Sequence, residues 1–125
     1  MRKVVCLAVI YNRRLLVIKR RGKWGLPGKK PRATETNIDC IFRAIEEVPD
    51  LRLKDLMPLG KFNGRNFLQW EPLKEKVFLA KAEKIFFDNY SKCNGRIKWI
   101  KNLEEDGILE STRRIFWILK GEGCL

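Results

Sequence analysis

The chain has 125 residues, a length that fits one domain with a real hydrophobic core, and we predict a single domain over residues 1–125. Its 27 basic and 15 acidic residues give a formal net charge of +12, which favours polyanionic partners. A basic surface without a specific partner would have the same net charge. The sequence contains no histidine, which excludes imidazole acid–base catalysis and histidine-containing metal sites.

The four cysteines are far apart in the sequence and form no C-x-x-C pair. They are Cys6, Cys40, Cys93 and Cys124. This spacing argues against a zinc site or a redox dithiol and favours buried, reduced thiols, as in an intracellular protein. No apolar run approaches the roughly 20 residues that a membrane helix needs. We therefore expect a cytoplasmic protein that does not act at a membrane.

Two apolar segments open the chain and lead into a basic loop. Val4–Ile10 and Leu15–Ile18 predict neighbouring strands covered on both faces, joined by a turn at Asn12 and Arg13. The cations that follow are Lys19, Arg20, Arg21, Lys23, Lys29, Lys30 and Arg32. The turn residues among them are Gly25, Pro27 and Gly28. Such a loop suits phosphate binding, while a solvated charged loop is the commoner outcome.

The next element is predicted as a helix that begins after Thr36 and stops before Pro49. Thr36 is placed as its N-cap, with Asp39 at the spacing of a capping box. The apolar stripe contains Ile38, Ile41, Ile45 and Val48. The charged stripe contains Asp39, Arg43, Glu46 and Glu47. The helix therefore separates a core face from a charged face.

The rest of the chain alternates strand and helix patterns. Strands are predicted at Leu51–Phe62 (one or two), Asn66–Trp70, Lys76–Ala82 and Arg96–Ile100, with a loop or broken helix at Ile85–Lys92 and turns at Asn63-Gly64 and Asn94-Gly95. A single helical turn is predicted at Asn102–Asp106, ended by Gly107, and a final helix from a Ser111 cap through Lys120, ended by Gly121. The expected core residues of that helix are Ile115, Phe116, Ile118 and Leu119. Helices packed on a mixed sheet satisfy this pattern.

At this point the chain resembles the Nudix hydrolases, whose box reads G-x5-E-x7-R-E-U-x-E-E-x-G-U, where U is a bulky aliphatic residue. The upstream segment WGLPG and the downstream segment WIKNLEEDGILESTRRIF resemble the flanks of that box in the family. The resemblance covers almost the full length. It implies an α+β fold, a Nudix-like α/β/α sandwich with a mixed sheet, a loop–helix–loop and a C-terminal helix.

Two registers of this degraded box are open. Laid without gaps from Gly28, the box retains Gly28, Glu46 and Glu47 and places Thr34, Phe42, Arg43, Ala44 and Pro49 at five further defined positions. We predict this register because the EEVPDL end resembles EExGU. In the second register, Glu35 and Arg43 restore E-x7-R, with Cys40 three residues before Arg43, at the cost of a deletion in the helix. Without a deletion, Ala44 and Val48 occupy two of three ligand positions and leave Glu47 alone.

The resemblance implies hydrolysis of a nucleoside diphosphate linked to another moiety, with Mg2+ or Mn2+ as cofactor. These hard cations prefer oxygen ligands, and positions 43, 46 and 47 have the i, i+3, i+4 spacing that converges on one ion. Arg43 stands at the first position, so Glu46 and Glu47 are the predicted catalytic residues and metal ligands. The missing group would come from Asp39, Glu35 or Glu83. Alternatively, Arg43 pairs along a solvated helix with Asp39, Glu46 or Glu47.

The predicted substrate-binding residues are Lys29, Lys30, Arg32, Arg43 and Trp24. The cations would hold phosphates, and Trp24 or Phe62 would stack on a base, although core packing is the commoner role for an aromatic residue. The first hypothesis is a Nudix-type pyrophosphohydrolase, weakened by its degraded box. The second is a catalytically inactive Nudix-fold module that binds nucleotide or RNA, and the third is a protein-interaction domain. Formation of a homodimer is a further alternative.

Overall fold

A computed structural model describes residues 2–48, 51–65, 72–83 and 95–125. The strands are β1 (Arg2–Tyr11), β2 (Arg14–Arg20), β3 (Lys23–Gly25), β4 (Gly28–Lys29), β5 (Leu53–Arg65), β6 (Pro72–Ala82) and β7 (Ile97–Ile100). The helices are α1 (Asn37–Ala44) and α2 (Glu110–Gly121). The predictions at Asn66–Trp70, Ile85–Lys92 and Pro49 lie outside the described residues. No helix in the described ranges is long and apolar enough to cross a bilayer.

The strands form one mixed sheet with the order β3-β2-β1-β6-β5, in which β4 also pairs with β1 and β7 with β2. The β1–β6 pairing is parallel and the other pairings are antiparallel. One buried cluster joins the sheet to α1 through residues such as Leu7 and Ile41, and a second joins it to α2 through Ala8 and Phe116. The predicted α+β sandwich, with a helix on each face of a mixed sheet, is confirmed.

Helix α1 begins as predicted and ends earlier than predicted. The Thr36 hydroxyl accepts a hydrogen bond from Asp39 N, and the Asp39 carboxylate accepts one from Thr36 N, which completes the capping box. The helix ends at Ala44, and Ile45 is its C-cap. Ile38 is 41% exposed, so its place in the predicted core stripe is wrong. The buried residues of α1 are Cys40, Ile41 and Ala44.

Strand β5 is one continuous strand of 13 residues, and the turn predicted at Asn63-Gly64 is wrong. Asn63 pairs with Lys74 and Gly64 with Leu73, so both lie within the antiparallel β5–β6 ladder. Register shifts between Lys54 and Met57 and between Pro58 and Gly60 mark irregularities in the same pairing. The connection between β5 and β6 falls in residues 66–71, outside the described ranges.

Helix α2 has different ends from those predicted. It begins at Glu110, and its N-cap is Leu109, whose apolar side chain has no acceptor for a capping bond. The predicted cap, Ser111, lies inside the helix, where its hydroxyl is hydrogen-bonded to the Glu75 carboxylate. Gly121 is still helical, and the positive φ of +81° belongs to Gly123. The buried residues are Thr112, Ile115, Phe116 and Leu119, so the prediction of Ile118 as a core residue is wrong. Residues 101–106 form bends and a turn, with no helical turn.

Glu75 is a buried carboxylate on β6, beneath the first turn of α2. Burial raises its pKa, and the Ser111 hydrogen bond and nearby Arg114 oppose that shift. Because the folded pKa is raised, the group contributes stability that is present below its ordinary pKa and is lost as pH rises through the folded value. We expect Glu75→Gln to raise the free energy of unfolding at pH 7, relative to the parent, more than at pH 4. Urea denaturation at the two pH values measures this difference.

The matched control is Glu110→Gln, which removes an exposed acid from the first turn of the same helix. We expect this variant to keep the pH dependence of the parent. The same pH dependence in Glu75→Gln and the parent would contradict the role assigned to the buried carboxylate.

Candidate functional site

The glycine–proline loop is built against the edge of β1. Leu7 N donates a hydrogen bond of 2.9 Å to Pro27 O, and Gly28 pairs with Cys6. A Cβ atom on Gly28 would lie 2.8 Å from Cys6 Sγ and 3.1 Å from Val5 O, so the close approach of the two strands requires glycine. Gly25 and Pro27 are buried in the same loop. These contacts fix the start of the basic segment that follows.

Arg43 connects α1 to this basic segment. Its Nε donates to Glu35 Oε2 at 2.9 Å, and its Nη2 donates to Glu35 Oε1 at 2.9 Å and to Lys30 O at 2.7 Å. Arg32 N also donates to Glu35 Oε1, at 2.9 Å. The hydrogen bonds from Arg43 are the main reason that the pKa of Glu35 falls to about 2. Arg43 therefore links the loop to the helix through several charge-assisted hydrogen bonds from its guanidinium group.

The predicted pairing of Arg43 along the helix is wrong. Asp39 is occupied in the capping box, and Glu46 and Glu47 follow the last helical residue, Ala44. The charged partner of Arg43 is Glu35, which lies before the helix and eight residues away in sequence.

Arg20 is a second connector, whose role the sequence did not reveal. Its Nη1 donates to Gly28 O at 3.0 Å, and its Nη2 pairs with Glu47 Oε1. Arg20 and Glu47 are 27 residues apart, so no local pattern signals this pair. The contact joins strand β2, the glycine loop and the segment after α1.

The acidic residues do not fit the multi-carboxylate metal centre that the resemblance implies. Glu47 pairs with Arg20, Glu35 pairs with Arg43, and Glu46 is exposed. Ala44 and Val48 are buried and offer no side-chain oxygen. Within the described ranges, no three acidic or cysteine side chains are grouped to hold a metal. The predicted completion by Asp39, Glu35 or Glu83 is therefore not found.

The aromatic residues have structural roles where they are described. Trp24 is only 5% exposed and packs in the cluster beneath α2, with Lys19 Nζ 5.7 Å and Lys98 Nζ 5.8 Å from its ring centroid. The prediction that Trp24 stacks on a base is therefore wrong, because its ring is buried. The side chain of Phe62 lies outside the part of the chain that is described. Among the predicted cations, Lys30 and Arg32 are exposed and Lys29 is half-buried.

Neither a protein-family model nor a curated protein sequence matches the chain. Solved structures do match it. A MutT Nudix hydrolase from Burkholderia pseudomallei superposes with a TM-score of 0.70 and 23% identity, over 93% of this chain and 95% of that one. A pyrophosphohydrolase from Bacillus subtilis gives 0.67 and 18%, over 98% of this chain and 82% of the other. This chain has the Nudix fold.

A third Nudix-fold match carries ligands. It is a bifunctional NMN adenylyltransferase/ADP-ribose pyrophosphatase from Francisella tularensis, complexed with AMP and manganese. The TM-score is 0.60 and the identity 18%, over 97% of this chain and 41% of that chain. At these identities the matches establish the Nudix fold of the chain.

The Glu35–Arg43 pair predicts how this Nudix-fold domain responds to acid. Because the folded pKa of Glu35 is lowered, the stability it contributes is full above its ordinary pKa of 4.5 and is lost as pH falls toward about 2. We expect Glu35→Gln to be less stable than the parent at pH 7 and the difference to shrink between pH 4.5 and 2. Thermal unfolding followed by circular dichroism across this range measures it.

Glu46→Gln is the control, since it removes an exposed carboxylate from the segment after the same helix. A difference between Glu35→Gln and the parent that stayed constant down to pH 2 would show that the pair has no part in acid stability.

Proposed function

We propose that this chain binds a nucleotide, or a related compound with a pyrophosphate group, and does not hydrolyse it through a carboxylate-held metal. The Glu35–Arg43 ion pair carries this proposal. The second register places Glu35 and Arg43 at the E-x7-R positions of the box, and these two residues form the ion pair. The gapless register places Thr34 and Phe42 at the same positions, and both are exposed. The pair therefore supports the second register, read straight through the helix without a deletion.

In that register the three ligand positions are Ala44, Glu47 and Val48. Two of these side chains carry no oxygen, and both are buried. The third pairs with Arg20, a permanent cation. Mg2+ demands oxygen ligands in near-octahedral geometry, and this set supplies one carboxylate that already has a partner. The local chemistry thus favours binding over metal-assisted cleavage.

The phosphate-binding groups in this proposal are the cations of the loop between β4 and α1. Lys30 and Arg32 are exposed, and the backbone of their loop is held in place by Arg43. Lysine and arginine form charge-assisted hydrogen bonds to phosphate oxygens, and a fixed backbone lowers the cost of ordering them. Arg43 itself has a positioning role, because Glu35 balances its charge.

Titration with ATP, dinucleoside polyphosphates, ADP-ribose and nucleotide sugars, in EDTA and in Mn2+, tests the proposal. We expect binding in EDTA to at least one compound without release of product. Lys30→Gln combined with Arg32→Gln should weaken that binding by about tenfold or more. The control is Arg13→Gln combined with Arg14→Gln, which removes the same charge from exposed residues at the β1–β2 turn.

Two results would overturn the proposal. One is the lack of binding to every compound in the panel. The other is metal-dependent product release that disappears in Glu46→Gln combined with Glu47→Gln, which would establish a hydrolase instead.

The hydrolase is the second candidate function, and the exposure of Glu46 favours it. Among the described residues, no cation lies within ion-pair distance of the Glu46 carboxylate. Magnesium often keeps several waters and takes only one or two carboxylates together with substrate phosphates. A substrate phosphate that drew Arg20 away from Glu47 would free the second carboxylate. Metal-dependent turnover by the parent protein is the result that supports this candidate.

A further inference from the structure

Three described lysines of β1 and β6 lie on the side of the sheet that carries α1. Lys3 on β1 pairs directly with Lys74 on β6, and Lys76, two residues farther along β6, pairs with Lys61 on β5. Val5 lies on the same face of the sheet as Lys3, and Phe78 on the same face as Lys74, because alternate residues of a strand share a face. Both Val5 and Phe78 belong to the buried cluster beneath α1. We name Lys3, Lys74 and Lys76 the lysine patch.

The charges of the lysine patch are not balanced by the described part of the protein. Lys3 and Lys74 are exposed, and Lys76 is half-buried with its Nζ 5.5 Å from the ring centroid of Phe78. Glu75 lies between two of them in sequence, but its carboxylate is on the opposite face of the sheet, at Ser111. No acidic side chain in the described ranges lies within ion-pair distance of the patch.

Like charges directly opposite each other in a sheet are destabilising, so an anion bound across them would relieve a cost that the fold otherwise carries. Lysines two residues apart on a strand are separated by about 7 Å, and neighbouring strands by about 4.8 Å. Three ammonium groups in this arrangement can contact successive phosphates of one chain. The spacing favours a polyanion over a single small anion.

The position of the patch beside α1 favours a flexible chain over a flat surface. Helix α1 packs on the same face, over β1 and β4, and a packed helix with its side chains is about 10 Å thick. A planar bilayer would therefore contact the helix before it reached the lysines on the sheet. A single-stranded nucleic acid, in contrast, can lie along the sheet beside the helix. We propose that the lysine patch binds the phosphate backbone of single-stranded RNA.

This interaction goes beyond the nucleotide-binding function proposed above, because it uses lysines on β1 and β6 and not the cations of the loop. The contacts are to phosphates, so binding is expected to be strongly dependent on salt and weakly dependent on sequence.

A matched pair of variants tests the RNA assignment. Lys3→Gln combined with Lys74→Gln removes one opposed lysine pair from the α1 face. Lys54→Gln combined with Lys81→Gln removes another exposed and directly opposed lysine pair, which lies on the α2 face of the same sheet. Both variants lose the same charge. Fluorescence anisotropy with a labelled oligouridine of about 12 nucleotides measures their affinities.

We expect the Lys3/Lys74 variant to bind the oligouridine about tenfold or more weakly than the parent, and the Lys54/Lys81 variant to bind as the parent does. Between about 50 and 200 mM salt, the slope of log K against log salt should become less negative by about 1.4 in the first variant, because each lost phosphate contact to a single strand accounts for about 0.7. Thermal unfolding of each variant confirms that the fold is retained.

Equal weakening in both variants would overturn the proposal in favour of diffuse charge, as would the lack of oligouridine binding by the parent. A parallel sedimentation assay with phosphatidylserine vesicles tests whether the patch binds an anionic membrane and not RNA. Vesicle binding lost only in the Lys3/Lys74 variant, with RNA binding unchanged, would assign the patch to a membrane. The Lys30/Arg32 variant separates the two proposals, because it is expected to lose nucleotide binding and keep oligouridine binding.

Discussion

Replacing Ile41 by alanine is expected to lower the free energy of unfolding by about 3 kcal/mol, within the range for truncating a buried isoleucine. Ile41 is fully buried and lies in the cluster that joins α1 to the sheet. The loss combines the transfer of apolar surface with the cavity that remains in the core. Urea denaturation with linear extrapolation measures the change.

The neighbouring residue supplies the control. Phe42 is 54% exposed, so Phe42→Ala should change the free energy of unfolding by no more than about 0.5 kcal/mol, although it removes the larger side chain. A greater loss for Phe42→Ala than for Ile41→Ala would show that α1 presents a different face to the sheet. The comparison thus tests the orientation of the helix that positions Arg43 and Glu47.

Arg43→Ala is expected to weaken nucleotide binding by about tenfold or more, although Arg43 itself is not proposed to contact the ligand. The substitution removes the donor to Lys30 O and leaves Glu35 as an unbalanced negative charge within the loop that carries Lys30 and Arg32. Both changes oppose the binding of an anion. Titration in EDTA measures the affinity, and amide hydrogen exchange over residues 30–36 should become faster in the same variant.

Two further variants separate charge from geometry. Arg43→Lys keeps the positive charge but cannot form the two-pronged contact with Glu35, so exchange in the loop should remain faster than in the parent. Glu35→Gln combined with Arg43→Ala removes the unbalanced carboxylate and should recover part of the affinity lost in Arg43→Ala. Parent-like affinity and exchange in Arg43→Ala would refute the positioning role.

The parts of the fold that follow from short-range patterns were predicted from the sequence. The double-sided apolar runs at Val4–Ile10 and Leu15–Ile18 correspond to the buried strands β1 and β2, and the Thr36 capping box is present. The end of α1 was harder to predict, because Ile45 and Val48 continue the helical apolar spacing and are buried although they follow the helix. At Ile45 and Val48 the sequence pattern therefore predicted burial correctly and helix length incorrectly, whereas at Ile38 the predicted burial was also wrong.

The candidate site depends on contacts that sequence spacing does not encode. Helical spacing directs attention to partners three or four residues from Arg43, whereas its partner Glu35 lies before the helix. The Arg20–Glu47 pair forms only because the sheet brings β2 beside the end of α1. At Asn63-Gly64, pairing with β6 overrides a strong local turn signal. Tertiary contacts thus decided the points at which local interpretation was wrong.

The placement of two tryptophans gives the protein its own optical probes of unfolding. Trp24 lies in the layer beneath α2, and Trp99 packs against the layer beneath α1, with its ring centroid 5.9 Å from that of Tyr11. Trp117, by contrast, is 60% exposed. The fluorescence of variants that retain only Trp24 or only Trp99 would therefore report whether the layers beneath α1 and α2 unfold together or one after the other.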